Sequence, residues 1–588
     1  MKQFFKFMLA SMLGIFLSLF LLFFIFMFII SGIVSMAKEG EVIVDRNSVI
    51  ELNFDHPVKE RTSKNPFEGM KFPSLKSDQD LGLNDILKNI EKAKTDSRIK
   101  GIFLNLSASQ MGISTLEEIR DALLDFKKSH KFIYAYSEYY TQGSYYLASM
   151  ADKIYLNPQG NLDFKGLHTE LAFFKGTLEK LEVEPEIIRH GKFKSAVEPF
   201  TNDKMSPENR AQVTELQHSV WESIVDNIAE SRKMSRESLM KIASDMEAMN
   251  PENALQLKLV DQLAYMDEVE KDLKKILALN DRDKIKLLSL KKYDRASSAS
   301  KSFSLKKVAV IYAVGPIGSG DGDDENIGSD RLSETIRKAR TDSSIKAIVL
   351  RVNSPGGSAL ASDVIWREMT LAKKVKPVVV SMGDVAASGG YYIACPADVI
   401  VAEPNTITGS IGVFGLLFNA QKMFDHKLGI TFDTVNTGRF SGIGSMTRPL
   451  TGAEKELIQK QIERVYDTFL SHVSDGRKMS KAAVDSIGQG RIWSGTDAKK
   501  LGLVDVLGGI NMAVEIAAKM AKLDDYRTIT LPEQKEFFQK LLEDFSTETS
   551  VLIAKHQLGE SYKYYSQVQS LLKMQGIQAR LPYEIEFY

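Results

Sequence analysis

A stretch near the start of this chain returns almost unchanged 246 residues later. "IEKAKTDSRIKGIFL" at 90–104 lines up without gaps against "IRKARTDSSIKAIVL" at 336–350, and ten of the fifteen positions are identical. The same offset pairs Tyr145-Tyr146 with Tyr391-Tyr392 and Ala151-Asp152 with Ala397-Asp398. Further on, "RHGKFKSAVEPF" (189–200) matches "NTGRFSGIGSMTRPL" (436–450) after a small insertion, and "SRKMS" (231–235) matches "GRKMS" (476–480). Whatever one copy folds into, the other must fold into as well. The duplication predicts two repeats, at 45–290 and 306–530. The polar, serine-rich "LKKYDRASSASKSFSLKK" reads as the join, with the linker itself over 291–305. A helical extension is expected over 531–588.

The second half alternates strand and helix patterns. "KVAVIYAVGPI", "IKAIVLRVN", "PVVVSM" and "DVIVAEP" are short apolar runs that read as buried strands. Between them, "SDRLSETIRKARTD" and "ASDVIWREMTLAKKV" have helical periodicity, and "SGGYYIACPA" reads as a short helix. This is the pattern of an α/β fold with a largely parallel sheet. "GAEKELIQKQIERVYDTFLSHVSDG" is a long helix with one apolar face, suited to a core or a subunit contact.

Ahead of the repeats, no charge occurs from Phe7 to Ala37. That run is long enough to cross a bilayer with some tilt. A cleaved signal peptide is the rival reading, since "SMA" precedes Lys38, but the apolar run is longer than secretory signals use. Residues 1–40 are therefore expected to be a cytoplasmic tip and a retained anchor. Lys2 and Lys6 precede the run, whereas Lys38 is offset by Glu39 and Glu41. The positive-inside rule then puts the bulk of the chain outside the cytoplasm.

Charge and cysteine content exclude several classes of function. The 76 basic and 76 acidic residues give no electrostatic case for nucleic acid. The single cysteine, Cys395, cannot form an intrachain disulfide. Eight scattered histidines lack ligand spacing for zinc, and "GSGDGDDENIGSD" lacks a glutamate at the spacing of a calcium loop. No metal or cofactor is expected.

The two copies differ where chemistry would sit. "GDVAASGGYYIACPAD" (383–398) carries Ser388 between a strand and a helix, where its hydroxyl is expected to be exposed at the sheet edge, near the helix dipole. The first copy has Gln142 there. One strand earlier, "VNSPGGSA" offers glycine N–H groups to an oxyanion, whereas the first copy reads "LSASQMGI". Each change alone fits a packed turn that drifted. Joint loss fits a single site.

A serine nucleophile needs a base. His426 and His472 fall in helical patterns, away from the strand ends. "HGKFKSAVEPF" in the first copy offers His190, Lys192 and Lys194, and the second-copy counterpart of Lys194 is Ser441. The asymmetry is reciprocal: one copy keeps the serine, the other the lysine. A site between the repeats would produce that pattern.

"RVNSPGGSA", "GDVAASGGYYIA", "ITGSIGV" and "GKFKSAVEPF", in an anchored and duplicated chain, closely resemble the long form of the signal peptide peptidase A (protease IV) family. The resemblance implies a tandem ClpP/crotonase-like fold and a Ser/Lys-dyad serine endopeptidase with its site between the repeats. By motif, Ser388 matches the nucleophile, Lys194 the general base, Ser410 the hydroxyl that orients the lysine, and Gly357 an oxyanion donor. The N–H of Gly389 is added on geometric grounds. The resemblance further implies cleaved signal peptides as substrates, a homotetramer, and the bacterial inner membrane with the catalytic bulk on the periplasmic side. Two rivals are a crotonase-like CoA-thioester enzyme, which would use a carboxylate, and an inactive membrane scaffold. His190 is the alternative base.

Overall fold

The computed structural model describes residues 2–37, 42–63, 81–106, 111–296, 304–534 and 577–581. The first repeat contributes β1 (Ser48–Leu52), β2 (Ile99–Asn105), β3 (Phe132–Tyr140), β4 (Lys153–Leu162), β5 (Glu184–Arg189), β6 (Gln262–Leu263) and β7 (Leu287–Ser289). The second contributes β8 (Lys307–Val314), β9 (Ile317–Gly318), β10 (Ile327–Gly328), β11 (Ile345–Ser354), β12 (Gly356–Ser358), β13 (Val378–Ala387), β14 (Val399–Ala402), β15 (Ile407–Gly409), β16 (Phe414–Asn419), β17 (Ile492–Ser494), β18 (Val506–Leu507) and β19 (Arg527–Leu531). A last short strand, β20, covers Gln578–Arg580.

The predicted duplication is visible in the sheets. The first repeat has the parallel order β6-β4-β3-β2-β1-β7. In the second, β18, β14, β13, β11, β8 and β19 follow one another in the same way. Equivalent side chains make equivalent bonds. The hydroxyl of Tyr145 donates to the Leu259 carbonyl at 3.0 Å, and that of Tyr391 to the Leu503 carbonyl at 2.9 Å. The Asp152 and Asp398 carboxylates accept from the N–H of Ile133 and Val378. Helices Leu83–Thr95 and Ile113–Lys127 of the first repeat correspond to Ser329–Thr341 and Ala359–Lys373 of the second.

The repeats share a core. Strand side chains alternate between faces. Val308, Val310 and Tyr312 of β8 accordingly join a cluster with Ile50, Leu104 and Leu116 of the first repeat, while Ala309, Ile311 and Ala313 pack within the second. A buried ion cluster crosses the same boundary. Arg351 of β11, fully buried, meets Glu60 at 2.9 Å and Glu118 at 2.5 Å.

A third, mixed sheet runs β10-β9-β12-β20-β16-β5. In it β5 of the first repeat pairs antiparallel with β16 of the second, from Arg189 opposite Phe414 to Glu184 opposite Asn419. No pattern in the sequence signals this pairing.

Two segments depart from expectation. The join begins with a short helix, Leu290–Asp294, in which Tyr293 is buried and its hydroxyl donates to Asp96. Residues 577–581 of the extension form strand rather than helix, because β12 and β16 offer them pairing partners; residues 535–576 and 582–588 lie outside the described residues. The apolar face of helix Gly452–Arg477 is core: Ile462, Tyr466, Phe469 and Val473 are buried within the second repeat. Exposed apolar side chains lie instead at Leu428, Ile430, Phe432, Val435 and Met446.

The N-terminal helix spans Lys2–Ala37, and its Gln3–Ile25 stretch has a mean hydropathy of 2.6. Its described side chains are exposed, Phe7, Leu13 and Phe16 among them, and touch only along the helix itself, as Phe20 does Phe24. An apolar helix exposed all round is consistent with membrane anchoring.

Candidate active site

Ser388 stands between the end of β13 and helix Gly389–Ala394, at the edge where β13 meets β15. Its φ of 56° is unusual for a residue with a side chain. The backbone is held there by a bond from its N–H to the Gly409 carbonyl at 2.8 Å, and the turn is continued by Tyr392 N–H donating to the Ser388 carbonyl. Such outliers concentrate at functional sites, where the surrounding fold over-determines them. Ser388 is fully buried, not exposed as expected, because the Lys194 loop lies over it.

Lys194 arrives from the first repeat. Strand β5 fixes the chain against β16 as far as Arg189, and His190 N–H then donates to the Val413 carbonyl. Phe193 N–H donates to the Gln489 carbonyl at 3.0 Å. Gly490, at φ +85°, makes the close approach possible: a Cβ there would lie 2.6 Å from the N, Cα and Cβ of Lys194. Lys194 Nζ ends 2.8 Å from Ser388 Oγ, 3.0 Å from Ser410 Oγ and 3.2 Å from the Ser410 carbonyl oxygen. The Ser410 hydroxyl donates in turn to the Gly490 carbonyl at 3.2 Å. Ser410 also has a positive φ, 48°, and its N–H donates to the Arg491 carbonyl.

Lys194 is fully buried and, among the described residues, forms no ion pair. Burial therefore drives its pKa well below the ordinary lysine value of 10.5. A neutral amine held against a serine hydroxyl can take its proton.

The glycine turn packs against the residues that flank Ser388, Ala387 and Gly389. Gly356 has φ +92°, and a Cβ on it would come within 2.6 Å of the Gly389 nitrogen. This packs Gly356, the neighbour of Gly357, against Gly389. His190 is elsewhere: its ring stacks on Tyr466 at 4.2 Å. Lys192 and Ser441 are not part of the cluster; Ser441 lies in an exposed loop, where its hydroxyl donates to the Gly438 carbonyl.

The first repeat shows what replaces the serine. Gln142 Nε2 donates to the Gly166 carbonyl at 3.1 Å, and its Oε1 accepts from the Gly166 N–H at 2.9 Å. Gly166 aligns with Gly412, whose carbonyl accepts from Ser388 Oγ at 3.3 Å. The longer amide fills the place with structural bonds. The first-copy counterparts of Gly356 and Gly357 are Gln110, outside the described residues, and Met111.

A model of peptidase family S49 matches this chain twice, over residues 125–280 and 370–524. The chain belongs to peptidase family S49. Lys194 falls in the first match, and Ser388 and Ser410 in the second. The chain is 35% identical over 497 residues to Protease 4 of Haemophilus influenzae, covering 83% of this chain and 80% of that one. It is 40% identical to Protease 4 of Salmonella typhi over 76% of this chain and 73% of that protein. The chloroplastic serine protease SPPA of Arabidopsis thaliana is 34% identical over 77% of this chain and 68% of its own length. A solved structure of a ClpP1 point mutant from Listeria monocytogenes covers 35% of this chain and 94% of its own, at 16% identity and a TM-score of 0.24. As an S49 member of the long, duplicated kind, the chain is a serine peptidase.

Proposed function

We propose that this S49 peptidase is a membrane-anchored endopeptidase working through a dyad of Ser388 and Lys194, one residue from each repeat. The observation that carries the proposal is the 2.8 Å separation of Lys194 Nζ and Ser388 Oγ in a fully buried setting. The neutral amine takes the hydroxyl proton as Oγ attacks a peptide carbonyl carbon. The N–H groups of Gly357 and Gly389 hold the oxyanion. The Lys194 ammonium returns its proton to the leaving amine, which leaves an acyl ester on Ser388. Water then attacks that ester with Lys194 again as base, and the acid product departs. Ser410 positions the amine by accepting one of its N–H bonds. A crotonase-like reaction would place a carboxylate here; none contacts Ser388 or Lys194 among the described residues.

Peptides left in a bilayer after signal cleavage suit an enzyme tethered to it, and we assign them as substrates, with the anchor in the bacterial inner membrane and the catalytic bulk periplasmic. The exposed apolar residues at 428–446 supply a contact for assembly into a homotetramer. Protease added to intact spheroplasts should digest the catalytic bulk; protection of that region would refute the topology.

The chemistry is tested by hydrolysis of an unstructured apolar peptide. Ser388→Ala should abolish turnover while changing folding stability by less than about 1 kcal/mol, since the lysine keeps its two other partners. Ser410→Ala should lower kcat roughly tenfold, the worth of one oriented hydrogen bond of about 1–1.5 kcal/mol. Turnover by Ser388→Ala would dismiss Ser388 as nucleophile.

A further inference from the structure

The residues on either side of Lys194 are held by one side chain, Gln212, on helix Pro207–Arg232 of the first repeat. Its Nε2 lies 3.1 Å from the Phe193 carbonyl oxygen, 3.0 Å from Ser195 Oγ and 3.1 Å from Asn209 Oδ1. Its Oε1 accepts from the Ile492 N–H of β17, in the second repeat, at 3.3 Å. Gln212 and Asn209 are both buried. Asn209 holds the amide from behind, and its own Nδ2 donates to the buried Glu198 carboxylate at 3.0 Å. The reverse orientation of the Gln212 amide would set oxygen against the Phe193 carbonyl and NH2 against the Ile492 N–H, so the network fixes it. Strand β17 carries the far end of this span to the other half of the site. Ile492 stands opposite Gly409 of β15, and the Arg491 carbonyl accepts from the Ser410 N–H at 2.7 Å. The Gly409 carbonyl in turn accepts from the Ser388 N–H. Further along the same helix, Ser219 Oγ lies 2.7 Å from Ser494 Oγ, so helix and strand run side by side.

The two copies differ here as they do at Ser388 and Lys194. Helices Pro207–Arg232 and Gly452–Arg477 each have 26 residues and are followed by a lysine in the left-handed region, Lys233 and Lys478. With the helices so aligned, the counterpart of Gln212 is Leu457, which is exposed and has no polar group to offer. The copy that keeps the base keeps the amide beside it. We propose that Gln212 is a positioning residue of the peptidase: its amide spans the repeat boundary and holds the Phe193–Ser195 turn, and with it the Lys194 amine, in register with Ser388 and Ser410. The proposal rests on the dyad reading for what Lys194 does. Gln212 bonds to no reacting atom and acts through the backbone around Lys194. Misplacing a reacting group by about 1 Å can cost on the order of 10²-fold in rate, so such a clamp has a measurable effect.

The test separates position from folding. Working sites in the full chain are counted by titrating Ser388 with a fluorophosphonate, and rates on an unstructured apolar peptide are expressed per site. Gln212→Met keeps the length of the side chain and removes the amide. It should lower kcat per site about 30-fold, the worth of about two oriented hydrogen bonds, and leave KM within about twofold. The acidic limb of kcat/KM should also move up in pH, because a loosened turn admits water to Lys194 and weakens the desolvation that holds its pKa down. Gln212→Asn is the milder change: its amide is too short for the span, and it should move both readings in the same direction even where Gln212→Met folds poorly. A glutamine with a purely structural role would lower the number of titrated sites and leave the rate and pH limb of each site as in wild type. That result, or no change at all, overturns the proposal. Lys194→Met is the parallel arm. Wild-type turnover there would remove the dyad and the Gln212 proposal with it, whereas lost turnover there beside an unchanged Gln212→Met would remove the Gln212 proposal alone.

Discussion

Lys194→Met should lower kcat for peptide hydrolysis by about 10³- to 10⁴-fold, the upper part of what a general base contributes. Methionine keeps most of the volume and removes the amine. Lys194→Arg should fail as badly, because a guanidinium stays protonated at any working pH. The wild-type kcat/KM should rise with pH along a single acidic limb, as Lys194 loses its proton, and that limb should lie well below 10.5. Stability carries the opposite signature. Between its lowered folded pKa and 10.5, Lys194 is neutral when folded and protonated when unfolded, so the unfolded chain binds the extra proton. Wild-type stability from this group then rises with pH across that window, by about 1.4 kcal/mol per pH unit at most. Lys194→Met lacks that dependence. Its advantage in melting temperature over wild type should shrink as pH rises from about 7 toward 10. A constant difference would mean that Lys194 is charged in the folded protein.

Arg351→Met should destabilise the whole chain by about 3–5 kcal/mol, the cost of leaving buried carboxylates without their partner. Arg351 belongs to the second repeat, and Glu60 and Glu118 to the first. Burial alone would lower the Arg351 pKa, but the Glu118 and Glu60 carboxylates outweigh it and raise it. Burial raises the Glu118 pKa. A carboxyl raised in the folded state takes up a proton on folding, so stability recovers as pH falls. The Arg351→Met deficit in chemical denaturation should therefore be smaller at about pH 5 than at about pH 8. A deficit under about 1 kcal/mol at the higher pH would mean that the cluster does not hold the repeats together.

The secondary structure of the second repeat was legible because its strands are buried on both faces and read as nearly unbroken apolar runs, as in "VAVIYAV". The duplication was legible as plain identity. Ser388 and Lys194 stood out by comparing copies: each is lost from the other repeat, and the structure brings the two side chains together. The burial of Ser388 was not legible, since it depends on a loop nearly two hundred residues away. The β5–β16 pairing was hidden for the same reason: "EPEIIR" is short and half polar, and its partner is "FGLLFN" of the other repeat. Arg351, Glu60 and Glu118 carry no local signature, because a buried charge and a solvated one look alike in sequence. The glycines at 356 and 490 could have been singled out as φ-positive positions, but which neighbour they admit is a tertiary fact.

The most direct measurement of the cross-repeat dyad is the site and rate of covalent labelling by a fluorophosphonate or lactam that acylates activated serines. Peptide mapping should find a single adduct, on Ser388, formed at a rate that follows the same pH limb as turnover. Lys194→Met, from the other repeat, should label at the same residue more than about 10²-fold more slowly. Labelling of a different serine, or of Ser388 at an undiminished rate in Lys194→Met, would contradict the account.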